Sequence, residues 1–161
     1  MSKPQLFYHA SQTSHEIGEI WEPLKKEDWM GPDIGSRIEK FRPIEYTPRT
    51  LAVYMNETTD FSCHISKNYE FKYLVKPISE PTKHDNKWLG ALQGFRMISK
   101  YQNWNPPEEG RQMTNIINSR YKGFPRDEKT LIRNYWEGVI SRNPCLEWIT
   151  DSVEIIKKIS N

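Results

Sequence analysis

Leu6-Phe7-Tyr8-His9-Ala10, near the start of the chain, reads as a short opening strand, followed by the polar cluster Ser11-Gln12-Thr13-Ser14. Its counterpart lies at the far end, where Val153-Glu154-Ile155-Ile156-Lys157-Lys158-Ile159 reads as a closing strand. Strands at both ends, with helical patterns between them, predict an α+β fold. At 161 residues the chain is expected to form a single domain, 1–161.

Between these ends, Ile17-Gly18-Glu19-Ile20-Trp21-Glu22-Pro23 reads as a turn feeding a brief extended piece. Residues Lys25 to Pro43 are polar and punctuated by Gly and Pro, with a short helix expected over Ser36 to Phe41. Thr50-Leu51-Ala52-Val53-Tyr54-Met55 reads as a core strand. Asn56 to Asp60 follows as a turn expected to cap a helix through about Ser66. Tyr69 to Val75 alternates apolar and polar residues, the pattern of a half-buried strand. Trp88 to Tyr101 has helical spacing, and Asn105 to Gly110 reads as loop. Asp127 is placed to cap a helix carrying Leu131, Ile132, Tyr135 and Trp136, with Gly138 as its stop.

Hydrophobic residues are only 36% of the chain, but aromatics reach 12% with six Trp, enough bulk to fill a small core. A net charge of +2 without a Lys/Arg block gives no electrostatic footprint for nucleic acid, although a local patch remains open. Without a signal-like N-terminus or a membrane-length apolar run, the expected setting is soluble and cytoplasmic. There Cys63 and Cys145, far apart and outside CxxC spacing, are expected to be reduced, buried thiols. His9, His15, His64 and His84 show no metal-ligand spacing with one another or with the cysteines, so no metal site is expected. The chain also lacks GxGxxG, P-loop, HExxH and GxSxG motifs.

Three separated pieces carry the functional reading. The first is Leu6-Phe7-Tyr8-His9-Ala10-Ser11 with Ile17 to Pro23, and the second is Pro48-Arg49-Thr50-Leu51-Ala52-Val53-Tyr54-Met55, with the capped helix expected after it and the Phe71 to Pro77 strand after that. The third runs from Tyr135-Trp136-Glu137-Gly138 through Cys145-Leu146-Glu147-Trp148-Ile149 to the closing strand. Their order resembles the ADP-ribosyltransferase superfamily, and within it the small stand-alone bacterial and phage-borne enzymes that include rifampin ADP-ribosyltransferases. The likeness covers the first half and, more loosely, the last quarter; residues 83–126 have no counterpart.

The resemblance implies split antiparallel sheets with flanking helices and, as substrate, NAD. NAD cleavage develops positive charge on the sugar carbon, as glycoside hydrolysis does. A nearby carboxylate stabilises that charge. In this reading His9, with Tyr8 and Ala10 beside it, contacts ribose hydroxyls, and Ser11 adds a hydrogen bond. Tyr54 stacks on nicotinamide, Arg49 pairs with the pyrophosphate, and Glu147 is the carboxylate, with Glu137 as the alternative. The acceptor of ADP-ribose is left open among protein, nucleic acid and small molecule, and its choice is assigned to the loop Lys25 to Pro43 and to residues 83–126. A toxin or phage-effector role accords with so compact a chain. NAD hydrolysis by the same cleft is the near alternative. A second is an inactive nucleotide- or partner-binding module displaying Trp88, Trp104 and Trp136. RNA-directed phosphotransfer through basic residues between Arg111 and Lys129 is a third.

The bland readings stand beside these. His9 can be a hydrogen-bonded strand-end histidine, Tyr54 a core residue, Arg49 a structural ion-pair partner, and Ser11 a turn residue. Glu147, set between Leu146 and Trp148, is harder to dismiss, because a desolvated carboxylate needs a reason to be there.

Overall fold

The computed structural model describes residues 3 and 5–160. The protein is a mixed α+β chain that forms two compact units, Met1–His84 with Cys145–Asn161, and Asp85–Pro144.

The first unit holds strands β1 (Phe7–Ser11), β2 (Ile20–Trp21), β3 (Val53–Met55), β4 (Phe71–Pro77), β5 (Thr82–Asp85, whose last residue opens the second unit), β6 (Leu146–Thr150) and β7 (Val153–Ser160), with helix α1 (Pro32–Glu39). The strands form a four-stranded sheet ordered β1-β4-β7-β2 and a three-stranded sheet ordered β3-β6-β5. β1 pairs with β4 antiparallel, with Phe7 opposite Val75 and His9 opposite Tyr73. Phe7, Val53, Met55, Tyr73, Val75, Val153 and Ile155 form a buried cluster drawn from both sheets, with Trp21, Phe71 and Trp148 packed against it. Each large apolar side chain so enclosed contributes about 1.5–3 kcal/mol of transfer free energy. The sheets also meet through backbone: the Tyr8 N–H donates to the Asn56 carbonyl and the Asn56 N–H to the Tyr8 carbonyl, both at 2.8 Å.

The second unit contains α2 (Lys87–Tyr101), α3 (Pro107–Arg120) and α4 (Glu128–Trp136). Asp127 caps α4 as expected, its carboxylate accepting the Thr130 N–H at 2.9 Å. Leu131, Ile132, Tyr135 and Trp136 are then buried on one face, and Gly138 ends the run at φ 71°. Asp85 closes the unit by accepting from the Lys87 N–H at 3.0 Å and the Ser141 N–H at 2.8 Å.

Several expectations are corrected. No α-helix follows Asp60; the segment bends and makes only a 3₁₀ turn over Ile65–Asn68. There Asn56, Thr58 and Asp60 turn their side chains onto nearby backbone, the local bonding that competes with a helix. The strand expected from Thr50 begins at Val53, after a 3₁₀ turn over Arg49–Leu51. The short helix expected over Ser36 to Phe41 starts four residues earlier, at Pro32. The loop assigned to Asn105–Gly110 is in part α3, which starts at Pro107. Proline is tolerated at that first helical position, and Glu108 and Glu109 suit the positive end of the helix. The unplaced residues 83–126 thus hold most of a helical unit.

The cysteines are also corrected: Cys63 and Cys145 form a disulfide, with Cα atoms 5.8 Å apart. The cause is tertiary. β3 pairs with β6, Met55 opposite Trp148, and this brings the loop after β3 beside the residue preceding β6.

Candidate functional site

The backbone bridge between Tyr8 and Asn56 sets His9 next to β3. The His9 Nδ1–H donates to the Tyr54 carbonyl at 2.8 Å, a pairing that leaves Nε2 as the acceptor nitrogen. Nε2 is buried without a hydrogen-bond partner. Burial, only partly offset by the Tyr54 carbonyl, lowers the His9 pKa to about 4, so the ring is neutral near pH 7. Trp21 and His15 extend this aromatic corner; ring centroids lie 5.1 Å apart for His9–Trp21 and 4.6 Å for His15–Trp21.

Tyr54 passes the connection onward. Its hydroxyl donates to the Arg49 carbonyl at 2.8 Å, and burial pushes its pKa upward, so it is a phenol rather than a phenolate. The short turn over Arg49–Leu51 folds the Arg49 side chain inward, where it is 1% exposed. Its Nε donates to Asp28 Oδ2 at 3.0 Å and its Nη1 to Glu147 Oε1 at 3.1 Å. The Arg49 N–H donates to Glu39 Oε1 at 3.0 Å, tying the turn to α1. A guanidinium between two buried carboxylates compensates much of their desolvation, and it holds each in one orientation. Arg49, read from the sequence as a pyrophosphate partner or a structural ion-pair partner, is enclosed between these acids.

The Lys26 ammonium and the Arg49 guanidinium lie 5.1 and 5.5 Å from the Tyr54 ring centroid. Desolvation and the Arg49 charge lower the Lys26 pKa, against the pull of Asp28 and Glu147. Lys26 and Asp28 also line a cleft of about 540 Å³, together with Lys25, Pro32, Gly35, Ser36, Glu39 and Thr50. The Arg49 cluster therefore borders a cavity large enough for a ligand. Tyr54 and Glu147 share a second, much smaller cavity of about 10 Å³ with His64, Phe61 and Ser66.

Of the residues picked from sequence, His9, Tyr54, Arg49 and Glu147 fall into this one connected network. Ser11 does not: it accepts from the Thr13 N–H at 3.1 Å and lies 3.1 Å from His15 Nε2, within its own turn. Tyr8 serves the bridge to Asn56 through its backbone, and Ala10 is buried in β1. Glu137 belongs to the other unit, exposed at the end of α4. Asp28, Lys26 and Glu39 were missed. A signal existed for Asp28, since it leads the apolar pair Trp29-Met30 inside a polar loop, much as Glu147 sits among apolar neighbours.

Cys63, His64 and Cys145 converge, with their Sγ, Nδ1 and Sγ atoms all within 4.8 Å of one another. No helix among the described residues is long and apolar enough to cross a membrane. No family model, curated protein or solved structure matches the chain.

Proposed function

We propose that the first unit binds NAD and cleaves its nicotinamide–ribose bond, transferring ADP-ribose to an acceptor. One observation carries this reading: residues from each of the three segments singled out for their resemblance to ADP-ribosyltransferases, His9, Tyr54 with Arg49, and Glu147, fall in one connected chain, and Arg49 contacts Asp28 and Glu39, which line the 540 Å³ cleft.

His9 Nε2 is neutral and has no hydrogen-bond partner, but it is buried and lines neither cavity, so accepting from a ribose hydroxyl requires the residues around it to open. Lys25 and Lys26, on the cleft wall, suit the diphosphate. Glu147, aimed by Arg49, supplies negative charge toward a sugar carbon that turns positive. In the reaction the C1′–N bond breaks and its electron pair leaves with nicotinamide. The acceptor's nucleophilic atom then bonds C1′ and loses its proton. With water as acceptor the outcome is hydrolysis. Stacking of nicotinamide on Tyr54 requires Lys26 to move from the ring face it covers.

The enclosure of Arg49 and Glu147, 1% and 4% exposed, favours a second reading in which the ion cluster is structural and the cleft binds nucleotide without turnover. One assay separates them. The protein is incubated with NAD labelled in the adenine half, with and without cell lysate, while released nicotinamide is quantified. Transfer yields nicotinamide and labelled acceptor; hydrolysis yields nicotinamide and free ADP-ribose. Saturable NAD binding without nicotinamide leaves the binding module, and absence of binding rejects both.

A further inference from the structure

We propose that Cys63, His64 and Cys145 form a zinc site in the reduced protein, its occupancy alternating with the Cys63–Cys145 disulfide. The inference is independent of the NAD reading.

Three observations carry it. First, the donor set is right for the metal: two thiolates and an imidazole are the ligands zinc favours, in a Cys₂His combination. Second, the geometry is near that of the bound state. The Cys145 Sγ to His64 Nδ1 distance is 3.9 Å, and all three donor atoms fall within 4.8 Å of one another. Zn–S and Zn–N bonds of about 2.3 and 2.0–2.1 Å in a tetrahedron imply donor separations of roughly 3.4–3.8 Å. The two sulfurs therefore need only part when their bond is reduced, while the imidazole is already beside Cys145. Third, the donors are held by paired strands. Cys145 immediately precedes β6, and β6 pairs with β3 with Met55 opposite Trp148, so the loop bearing Cys63 and His64 starts from a strand tied to the one Cys145 leads into.

Cys63 is exposed and Cys145 buried, which gives a dithiol reductant an approach to one sulfur of the bond. Reduction takes two electrons and two protons from that dithiol, which leaves as its own disulfide. Zinc then displaces the two thiol protons and bonds both sulfurs and His64 Nδ1. Either state ties Cys145, two residues before Glu147, to the loop after β3.

The test uses the full chain, oxidised or reduced with a phosphine and desalted without air, titrated with zinc against a chromophoric chelator. One tightly held zinc per reduced chain and none per oxidised chain is the expected result. His64→Ala keeps both cysteines and should weaken zinc by at least about 10–100-fold, the loss seen even for outer partners of a metal ligand. Cobalt in the reduced protein should give a thiolate-to-metal charge-transfer band that Cys63→Ser diminishes. Equal zinc uptake by oxidised and reduced chains, no uptake by the reduced chain whether or not it stays folded, or an unchanged affinity in His64→Ala would each overturn the proposal.

Discussion

Arg49 Nη1 donates to Glu147 Oε1 at 3.1 Å, joining residues 98 positions apart, both of them buried. The same guanidinium holds Asp28 at 3.0 Å, so one cation serves two enclosed carboxylates. Removing it should be far more damaging than removing an exposed charge. Arg49→Met is expected to cost about 3–5 kcal/mol, because it strands buried acids without their partner. Urea denaturation of the variant gives the value directly; a loss below about 1 kcal/mol would mean the cluster is not holding the fold.

Glu147→Gln keeps the shape of the side chain and removes its charge. Under the NAD reading, nicotinamide release should fall by about 10²–10³-fold, the size of effect that a lost transition-state electrostatic contact produces. NAD affinity, followed by calorimetry, should change little. Turnover that survives the substitution removes Glu147 from the reaction.

Burial of His9 predicts a pH dependence of stability. The unfolded chain takes up a proton near 6.5 and the folded protein only near 4. Across that interval the unfolded state binds more protons, so stability falls as pH is lowered through it and levels off below. The contribution lost is about 3 kcal/mol by pH 4. His9→Asn should flatten this part of the profile, measured by denaturant midpoints between pH 7 and pH 4; parallel profiles would contradict the assigned burial effect.

Gly110 lies in the first turn of α3, where an added Cβ would come 2.0 Å from the Tyr101 carbonyl oxygen. Backbone cannot give way as a flexible side chain can. Gly110→Ala should therefore destabilise the helical unit by about 1–3 kcal/mol despite alanine's better helix propensity. Hydrogen exchange in α2 and α3 should report the loss, with faster exchange in the variant; unaltered protection would show that the two helices separate freely.

Local signals carried much of the architecture. The extended run Leu6–Ala10, the alternation from Tyr69 to Val75, the run from Val153, the spacing from Trp88 to Tyr101 and the Asp127 cap are each local to one element, so they are readable along the chain. Where side-chain bonding competes with backbone, as at Asn56, Thr58 and Asp60, or where a proline opens a helix, as at Pro107, the same local signals misread the element. Aromatic content foretold a bulky core.

The candidate site was legible only as residue types. His9, Tyr54, Arg49 and Glu147 could be picked from their surroundings, but nothing along the chain says that Arg49 points inward between Asp28 and Glu147, or that Cys145 meets Cys63. Those relations follow from β3 pairing with β6 and from the bridge between Tyr8 and Asn56. Strand propensity and capping act over a few residues, and the sequence by itself determines them. Charge pairing and sulfur pairing across 98 and 82 residues depend on which strands become neighbours, and only the packed sheets decide that.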